Sequence, residues 1–230
     1  MANSNNKKQK GAIHTSLATP APTRGNGAVR IVSGQWRRSL IQVALADGLR
    51  PTSERVRETV FDWLSHLFES IDGLEVLDMF AGSGAMGFEA ASRGAARVDW
   101  VDVNKAGILS IRAALKKLGG QERHRAHVGD AFRFVESVDA PYDLIVIDPP
   151  FKADWQQKAV LAAKRVLKPE GLLYVESPKA LLDDGFVSEA GLVRVRSGRA
   201  GAVSFELLAH ERSGMAGLAK LSKEEKRKKK

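Results

Sequence analysis

Cysteine is absent from the 230 residues of this chain, which excludes disulfide bridges, thiol catalysis and cysteine-bound zinc. No stretch approaches the roughly 20 consecutive apolar residues that a membrane-spanning helix requires. The first ten residues, MANSNNKKQK, lack the apolar core of a secretory signal. These absences favour a cytoplasmic protein with no membrane partner. We expect a monomer, although the sequence itself leaves the oligomeric state open.

Acidic residues are missing from residues 1–30, which carry a net charge of +5. Residues 223–230 (KEEKRKKK) add +4, so the two ends account for the whole formal charge of +9 and residues 31–222 are formally neutral. Basic ends of this kind suit a polyanionic partner such as nucleic acid. They are equally compatible with two solvated, solubilising ends.

The chain divides into four segments by composition and periodicity. Residues 1–27 are predicted to be a disordered basic tail, and residues 211–230 a basic C-terminal tail. Residues 28–72 form a small N-terminal element with strands at Ala28–Ser33 and Leu40–Ala44. A helix follows, capped by Thr52 or Ser53 and continuing to about Phe68.

Residues 73–210 alternate between strands and helices, the pattern of an α/β protein with a doubly wound parallel sheet. One helix is predicted to end near Gly94, and another to begin at about Asp130. Two more helices are predicted over Asn104–Leu118 and Asp154–Leu167. The strands are predicted at Leu74–Met79, Arg97–Asp102, Ala126–Val128, Tyr142–Ile147, Gly171–Glu176, Leu192–Val195 and Val203–Leu208. This arrangement predicts seven mostly parallel strands with helices on both faces and an antiparallel pair at one end.

A glycine-rich turn follows the first strand of this region, in the segment Val76–Gly87. Gly82, Gly84 and Gly87 satisfy the G-x-G-x-x-G pattern, in which glycines let the backbone pass close to a ligand. The match does not separate NAD from other adenosine-containing cofactors, and a purely structural tight turn is an open alternative.

Two acids follow the next two strands. Asp102 lies 18 residues after Gly84, where a carboxylate accepts hydrogen bonds from both hydroxyls of a ribose; the alternative is a cap for the helix near Asn104. Asp130, with the backbone N–H of Ala131, suits the edge of an adenine. An N-cap is the alternative for Asp130.

The segment Asp148-Pro149-Pro150-Phe151 directly follows the most apolar strand. Its two prolines stiffen the backbone and remove two N–H donors, which leaves the Asp148 carboxylate and the Pro149 carbonyl as fixed acceptors. Two such acceptors suit a planar NH₂ group, and Phe151 offers a face on which a base stacks. A dehydrogenase has no need for this loop.

These motifs resemble those of the class I S-adenosylmethionine-dependent methyltransferases, which have a Rossmann-like fold. The segment Asp78–Gly87 resembles their first motif, and Asp148–Phe151 resembles the Asp/Asn-Pro-Pro-Phe/Tyr motif of the enzymes that methylate exocyclic or amide nitrogens. Two N-terminal segments make the resemblance more specific. These segments, Arg30–Trp36 and Leu49–Glu58, resemble the bacterial 16S ribosomal RNA guanine-N2 methyltransferases named for guanine 966. The similarity runs from about Arg30 to Ala209. Asn104 departs from it, because related sequences often have a second acid there.

The resemblance implies a role for each matched position. It assigns Asp148, Pro149 and Phe151 to the target base as catalytic residues, and Arg50, Thr52, Arg55, Arg57 and Pro150 to substrate RNA. The cofactor, S-adenosylmethionine, is expected to contact Asp78, Phe80, Ala81, Gly82, Ser83, Gly84, Asp102, Asp130 and Ala131. Arg55 and Arg57 also neighbour Glu54 and Glu58, so a structural role is the alternative for them. No metal is expected, since the five histidines have no metal-ligand spacing.

The implied reaction is transfer of a methyl group to the N2 amine of a guanine in 16S ribosomal RNA, either free or within an assembling small subunit. Other amine acceptors, adenine N6 or a protein glutamine, are the nearest alternatives. An NAD-binding oxidoreductase leaves Asp148–Phe151 unexplained. A non-catalytic RNA-binding module leaves the cofactor motifs without a purpose.

Overall fold

Seven strands form the central sheet, in the order β5-β4-β3-β6-β7-β9-β8. The structure, a computed structural model, describes residues 27–42, 52–150, 155–178 and 180–219. The strands are β1 (Ala28–Arg30), β2 (Leu40–Gln42), β3 (Glu75–Asp78), β4 (Arg97–Asp102), β5 (Arg125–Val128), β6 (Tyr142–Ile147), β7 (Leu167–Pro178), β8 (Leu192–Ala200) and β9 (Val203–His210). The helices are α1 (Glu54–Phe68), α2 (Ala85–Ser92), α3 (Lys105–Leu118), α4 (Ala131–Ser137), α5 (Trp155–Lys164) and α6 (Asp184–Glu189).

The first five strands of the sheet are mutually parallel, and β7-β9 and β9-β8 pair antiparallel. This confirms the predicted topology. The bounds of β4 and β6 are those predicted. The antiparallel pair is longer than predicted, since β8 continues through Ala200. No helix within the described ranges is long and apolar enough to span a bilayer.

Two separate apolar cores cover the two faces of the sheet. One core buries α1, α2 and α3, with Val60, Phe88 and Ile111 among its residues. The other buries α4, α5 and α6. Parallel strands covered on both sides are almost wholly apolar, which is why β6 has five buried positions out of six.

One helical boundary differs from the predictions, and two short helices were not predicted. Helix α5 ends at Lys164, and Leu167 begins β7 instead of ending the helix. Helix α6 was not predicted because six residues are too short to display a helical period; its signal is the N-cap Asp183, which accepts from the Phe186 N–H. Residues 214–219, in the segment assigned to a tail, form a short helix with Ala216 buried.

The N-terminal element is a two-stranded antiparallel hairpin of β1 and β2 joined to α1. Ser53 is the N-cap of α1, since its side chain accepts from the Val56 N–H. Ala44, which was expected to end the second strand, lies outside the described residues. The element packs on the same face as α2 and α3, because Ile31, Trp36 and Ile41 join their core.

Gly87 allows α2 to pack closely against β4. A Cβ atom at Gly87 would lie 2.2 Å from Trp100 Nε1, and this indole N–H donates to the Gly84 carbonyl at 3.1 Å. The third glycine of the motif is therefore required by helix–strand packing, while Gly84 has a left-handed φ of 74° at the start of the helix.

We expect Gly87→Ala to lower the free energy of unfolding by about 1–3 kcal/mol, because the new methyl group displaces a buried indole. Urea denaturation followed by circular dichroism measures this. The matched control is Gly217→Ala in the 214–219 helix, where nothing lies within 4 Å of the added Cβ atom. Equal unfolding midpoints for the two variants would contradict the packing role of Gly87.

Candidate active site at the carboxyl edge of the sheet

Four acidic residues meet at the edge of the sheet where four neighbouring parallel strands end. Asp78 and Asp102 are the last residues of β3 and β4, Asp148 follows β6, and Glu176 lies near the end of β7. The carboxyl ends of parallel strands share one edge, which is where open α/β sheets bind ligands. Within the described ranges, no three carboxylate or imidazole side chains are grouped as metal ligands would be.

The side chain of Asp102 holds the turn between β3 and α2 by a hydrogen bond. One carboxylate oxygen of Asp102 accepts from the Gly82 N–H and the other from the Asn104 N–H, both at 2.7 Å. Asp102 is not the cap of α3, because the Asn104 side chain accepts from the Ala106 and Gly107 N–H groups. Each Asp102 oxygen has a second acceptor position, and the residue is only partly buried. The carboxylate is thus fixed in position and able to accept from a ligand hydroxyl.

Asp78 is buried beneath the same turn, with 3% of its surface exposed. Its Oδ2 atom accepts from the Gly87 N–H at 3.1 Å. Burial raises the pKa of Asp78 to about 8, and the negative charges of Asp102 and Glu176 add to this effect. At neutral pH Asp78 therefore carries a proton most of the time, unless a cationic ligand group favours its ionised form.

An exposed apolar surface lies beside Asp102. Val103 is 72% exposed, and Val128, which is 45% exposed, pairs with Asp102 across the β4–β5 ladder. Two neighbouring valines open to solvent next to a fixed carboxylate suit the planar base and the ribose of a nucleoside. Val103 was not predicted as a site residue, although its apolar side chain between the polar Asp102 and Asn104 was visible in the sequence.

The other expected cofactor positions have local structural roles. Asp130 is the N-cap of α4 and accepts from the Arg133 N–H at 3.0 Å, so the capping alternative holds for its side chain. Ala131 begins that helix and is buried. The Ala81 N–H donates to the Val101 carbonyl, and the Ser83 hydroxyl accepts from the Ala85 N–H. These contacts shape the two turns that face the edge.

Phe80 belongs to an aromatic cluster on the other side of the edge. Its ring centroid lies 5.9 Å from that of Phe132 on α4 and 6.4 Å from that of Trp155 on α5. Trp155 is 41% exposed. Of these three aromatic residues, the sequence indicated only Phe80 as a site residue. Phe132 and Trp155 approach it only because α4 and α5 pack together.

Asp148 and Glu176 are neighbours across the β6–β7 ladder. Ile147 pairs with Val175, so the next position of each strand places the two acids side by side. Burial raises the pKa of Asp148 well above its usual range, and the charges of Glu176 and then Asp78 add to the shift. Pro149 is buried and Pro150 is exposed. Phe151 lies outside the described residues.

Glu176 connects this acidic pair to the N-terminal element. It is 5% exposed, and its Oε1 atom accepts from the Tyr174 hydroxyl at 2.7 Å and from Thr52 Oγ1 at 2.8 Å. Burial raises the pKa of Glu176, while the two hydrogen bonds oppose the rise. Glu176 was not predicted as a site residue, although an acid directly after the apolar residues of β7 was visible in the sequence. Thr52 was expected at the substrate, and it contacts the acidic edge directly.

The structure gives Arg57 a different role from the expected contact with RNA. Arg57 is 2% exposed, and its guanidinium donates to the carbonyls of Thr52 at 2.5 Å and Arg30 at 2.6 Å. It also pairs with Glu89 of α2 at 3.5 Å. Arg57 therefore joins elements of the fold and is closed to a substrate. Arg55 is exposed on the same helix, and Arg50 lies outside the described residues.

Comparisons with known proteins identify the family and support the fold. The family model described as conserved hypothetical protein 95 matches residues 29–209. The ribosomal RNA small subunit methyltransferase D of Escherichia coli (strain K12) is 37% identical over 157 residues, which are 66% of this chain and 76% of that protein.

Two solved structures extend the comparison. The Escherichia coli protein yhhF superposes with a TM-score of 0.68 at 32% identity, over 80% of this chain and 98% of its own. The protein SMU.776, solved in complex with SAH, shares the fold with a TM-score of 0.56 at 17% identity, over 73% of this chain and 51% of its own. The chain therefore belongs to the conserved hypothetical protein 95 family, together with the ribosomal RNA small subunit methyltransferases D.

Proposed function

We propose that this chain is an S-adenosylmethionine-dependent methyltransferase that methylates the N2 amine of a guanine in 16S ribosomal RNA, of the guanine 966 type. The observation that carries the proposal is the position of Asp148 and Pro149. They lie at the same sheet edge as Asp102, which suits an adenosine-containing cofactor, in a chain related to a ribosomal RNA small subunit methyltransferase.

The residues at the carboxyl edge fit this cofactor. Asp102 is fixed by two backbone N–H groups and has acceptor positions left for the ribose hydroxyls. Val103 and Val128 offer apolar surface to the adenine. The turn through Gly82 and Gly84 brings backbone close to the ligand without side chains in between. The cofactor supplies an electrophilic methyl group at this edge.

The protein's part in the reaction is to orient the guanine amine. The two amine protons donate to the Asp148 carboxylate and the Pro149 carbonyl, and neither proline of the loop has a competing N–H group. Held in this way, the nitrogen becomes more tetrahedral and its lone pair turns away from the ring. Positioning of this kind supplies much of the rate in enzymes that hold their reactants near the attack geometry. Pro150 and Phe151 are proposed to contact the flipped base.

The proton released from the methylated amine needs an acceptor. Asp148 is next to the nitrogen in this arrangement and takes the proton in its ionised form. The charges of Glu176 and Asp78 and the burial of the site all make Asp148 a stronger base than an exposed aspartate. The same environment makes the ionised form less abundant at neutral pH, so the rate depends on how these three acids share protons.

The cofactor site is tested by Asp102→Asn. We expect the affinity for S-adenosylhomocysteine to fall by about 1.5–3 kcal/mol, because the variant loses hydrogen bonds to a charged group. Isothermal titration calorimetry measures the change, with the exposed Asp62→Asn on α1 as the control. Unchanged affinity would restrict Asp102 to supporting the glycine turn. Binding of NAD by the unchanged protein would instead favour the oxidoreductase alternative.

The amine-binding loop is tested by Asp148→Ala. We expect single-turnover methyl transfer to 16S ribosomal RNA to slow by about 10²–10³-fold, the scale of a lost hydrogen bond that acts in the transition state. Affinity for S-adenosylhomocysteine should stay within a few-fold, since Asp148 holds the acceptor. Mass mapping of the methylated nucleoside separates guanine N2 from adenine N6. Near-normal transfer by the variant would remove Asp148 from the mechanism.

The acidic pair is tested by Glu176→Gln, in which an amide oxygen replaces the carboxylate oxygen that Thr52 and Tyr174 contact. Without the negative charge of Glu176, the pKa of Asp148 falls and its ionised form persists at lower pH. We expect the acid limb of the single-turnover pH–rate profile to move to lower pH. The exposed Glu136→Gln on α4 is the control. An acid limb that stays in place would show that Glu176 does not act on Asp148.

A further inference from the structure

A concentration of basic residues lies in α3 and the residues that follow it. Residues 105–125 contain one acid, Glu122, and six bases: Lys105, Arg112, Lys116, Lys117, Arg123 and Arg125. Because residues 31–222 are formally neutral, this net charge of +5 is balanced by acids elsewhere in the fold. All six basic side chains are exposed.

These cations have no acidic partners in the described part of the chain. Arg57, Arg93, Arg97, Lys168 and Arg194 each pair with a carboxylate, whereas none of the six bases of residues 105–125 does. Arg112 is held beside the sheet edge, since its Nε and Nη2 atoms donate to the Ala126 carbonyl at 2.9 and 2.6 Å. Unpaired cations on one face give a positive potential that attracts polyanions.

The N-terminal hairpin adds two more cations to this face. The ring of Trp36 meets that of His124 edge to face, with their centroids 5.8 Å apart. Gly120 makes room for the contact, because a Cβ atom there would lie 2.8 Å from the Trp36 ring. The contact joins two segments that both carry exposed arginines, because Arg37 and Arg38 follow Trp36 and Arg123 and Arg125 flank His124.

A cavity of about 340 Å³ opens among these residues. Arg112, Arg125 and Gln121 line it together with the imidazoles of His124 and His127. Burial lowers the pKa of His124 to about 4, with the charge of Arg123 adding to the effect, so this ring is neutral at neutral pH. The cavity presents the guanidiniums of Arg112 and Arg125, and guanidiniums are well suited to phosphate oxygens.

We propose that this face binds the sugar–phosphate backbone of RNA, at a contact separate from the acceptor pocket. We call it the β5 face and define it by Arg37, Arg38, Arg112, Lys116, Lys117, Arg123 and Arg125. The partner chemistry follows from the charge and from the guanidinium-lined cavity. The inference rests on the proposed function in one respect, namely that the polyanion is the substrate RNA.

The β5 face lies within reach of the candidate active site. Arg125 begins β5, and Val128, three residues later, pairs with Asp102 at the carboxyl edge. Three strand residues span about 10 Å, which is less than the width of an RNA helix. An RNA held by the β5 face would therefore have neighbouring nucleotides beside the site where the base is methylated.

The test compares two double variants in the full-length protein. Arg123→Gln with Arg125→Gln removes two charges from the β5 face. Arg165→Gln with Arg199→Gln is the control, since these two arginines are exposed elsewhere. Affinity for a fluorescently labelled hairpin of 16S ribosomal RNA is measured by anisotropy between about 50 and 200 mM KCl. Both variants keep the basic tails, so any contribution of the tails cancels.

We expect the slope of log affinity against log salt to be flatter by about 1.5 units in the β5-face variant and unchanged in the control, because each phosphate contact contributes about 0.7–0.9. Unfolding midpoints and affinity for S-adenosylhomocysteine should be unchanged in both. Equal slopes for the two variants would overturn the inference. The double variant Lys116→Gln with Lys117→Gln repeats the test on side chains of the β5 face that do not line the cavity. Failure of the protein to methylate guanine would contradict the proposed function and leave the slopes measurable.

Discussion

The buried ion pair between Arg57 and Glu89 is the interaction on which the rest of the structure depends. Glu89 is fully buried in α2, and it also accepts from the Val32 N–H at 2.6 Å. Through these contacts one pair of side chains joins the hairpin, α1 and α2. Breaking one partner of such a pair leaves an uncompensated buried charge, at a typical cost of about 3–5 kcal/mol. The position of the whole N-terminal element relative to the sheet therefore depends on this contact.

The same network reaches the acidic edge through Thr52. The Thr52 carbonyl accepts from Arg57, and its hydroxyl donates to Glu176, which lies beside Asp148. The N-terminal element is thus more than a cover for one face of the sheet. It supplies a hydrogen bond that favours the ionised form of Glu176 and so affects the proton balance at Asp148. A change in the hairpin or in α1 would be transmitted to Asp148 by this path.

The sequence was sufficient for the parts of the fold that depend on local patterns. The strands Tyr142–Ile147 and Arg97–Asp102 were predicted with their observed bounds, because both are short segments rich in β-branched and aromatic residues. Helix α3 was predicted to within one residue, since Asn104 and Gly119 are strong terminal signals. Helix α6 was not predicted, because its six residues are too few to show a helical period.

The candidate site was predictable to the extent that its residues follow strands. Asp78, Asp102 and Asp148 were identified because each ends a strand or follows one. For Arg57 the sequence left two interpretations open, RNA contact and a structural role, because its partner Glu89 is 32 residues away in the chain and nothing in the local sequence pairs them. Glu176 and Val103 were missed for a similar reason, since an acid inside a strand and an exposed valine gain meaning only when neighbouring strands bring them to the edge.

Charge explains why the site and the RNA-binding surface are expected in different places. Four carboxylates at the carboxyl edge would repel the phosphates of an approaching RNA if all were ionised. Burial raises the pKa of Asp78 and of Asp148, which favours their neutral forms and so reduces this repulsion. It does not create attraction. The attraction has to come from cations outside the edge, and the β5 face supplies them about 10 Å along the adjoining strand. Separating the two charges in this way keeps the arginines from pairing with the carboxylates that the chemistry requires.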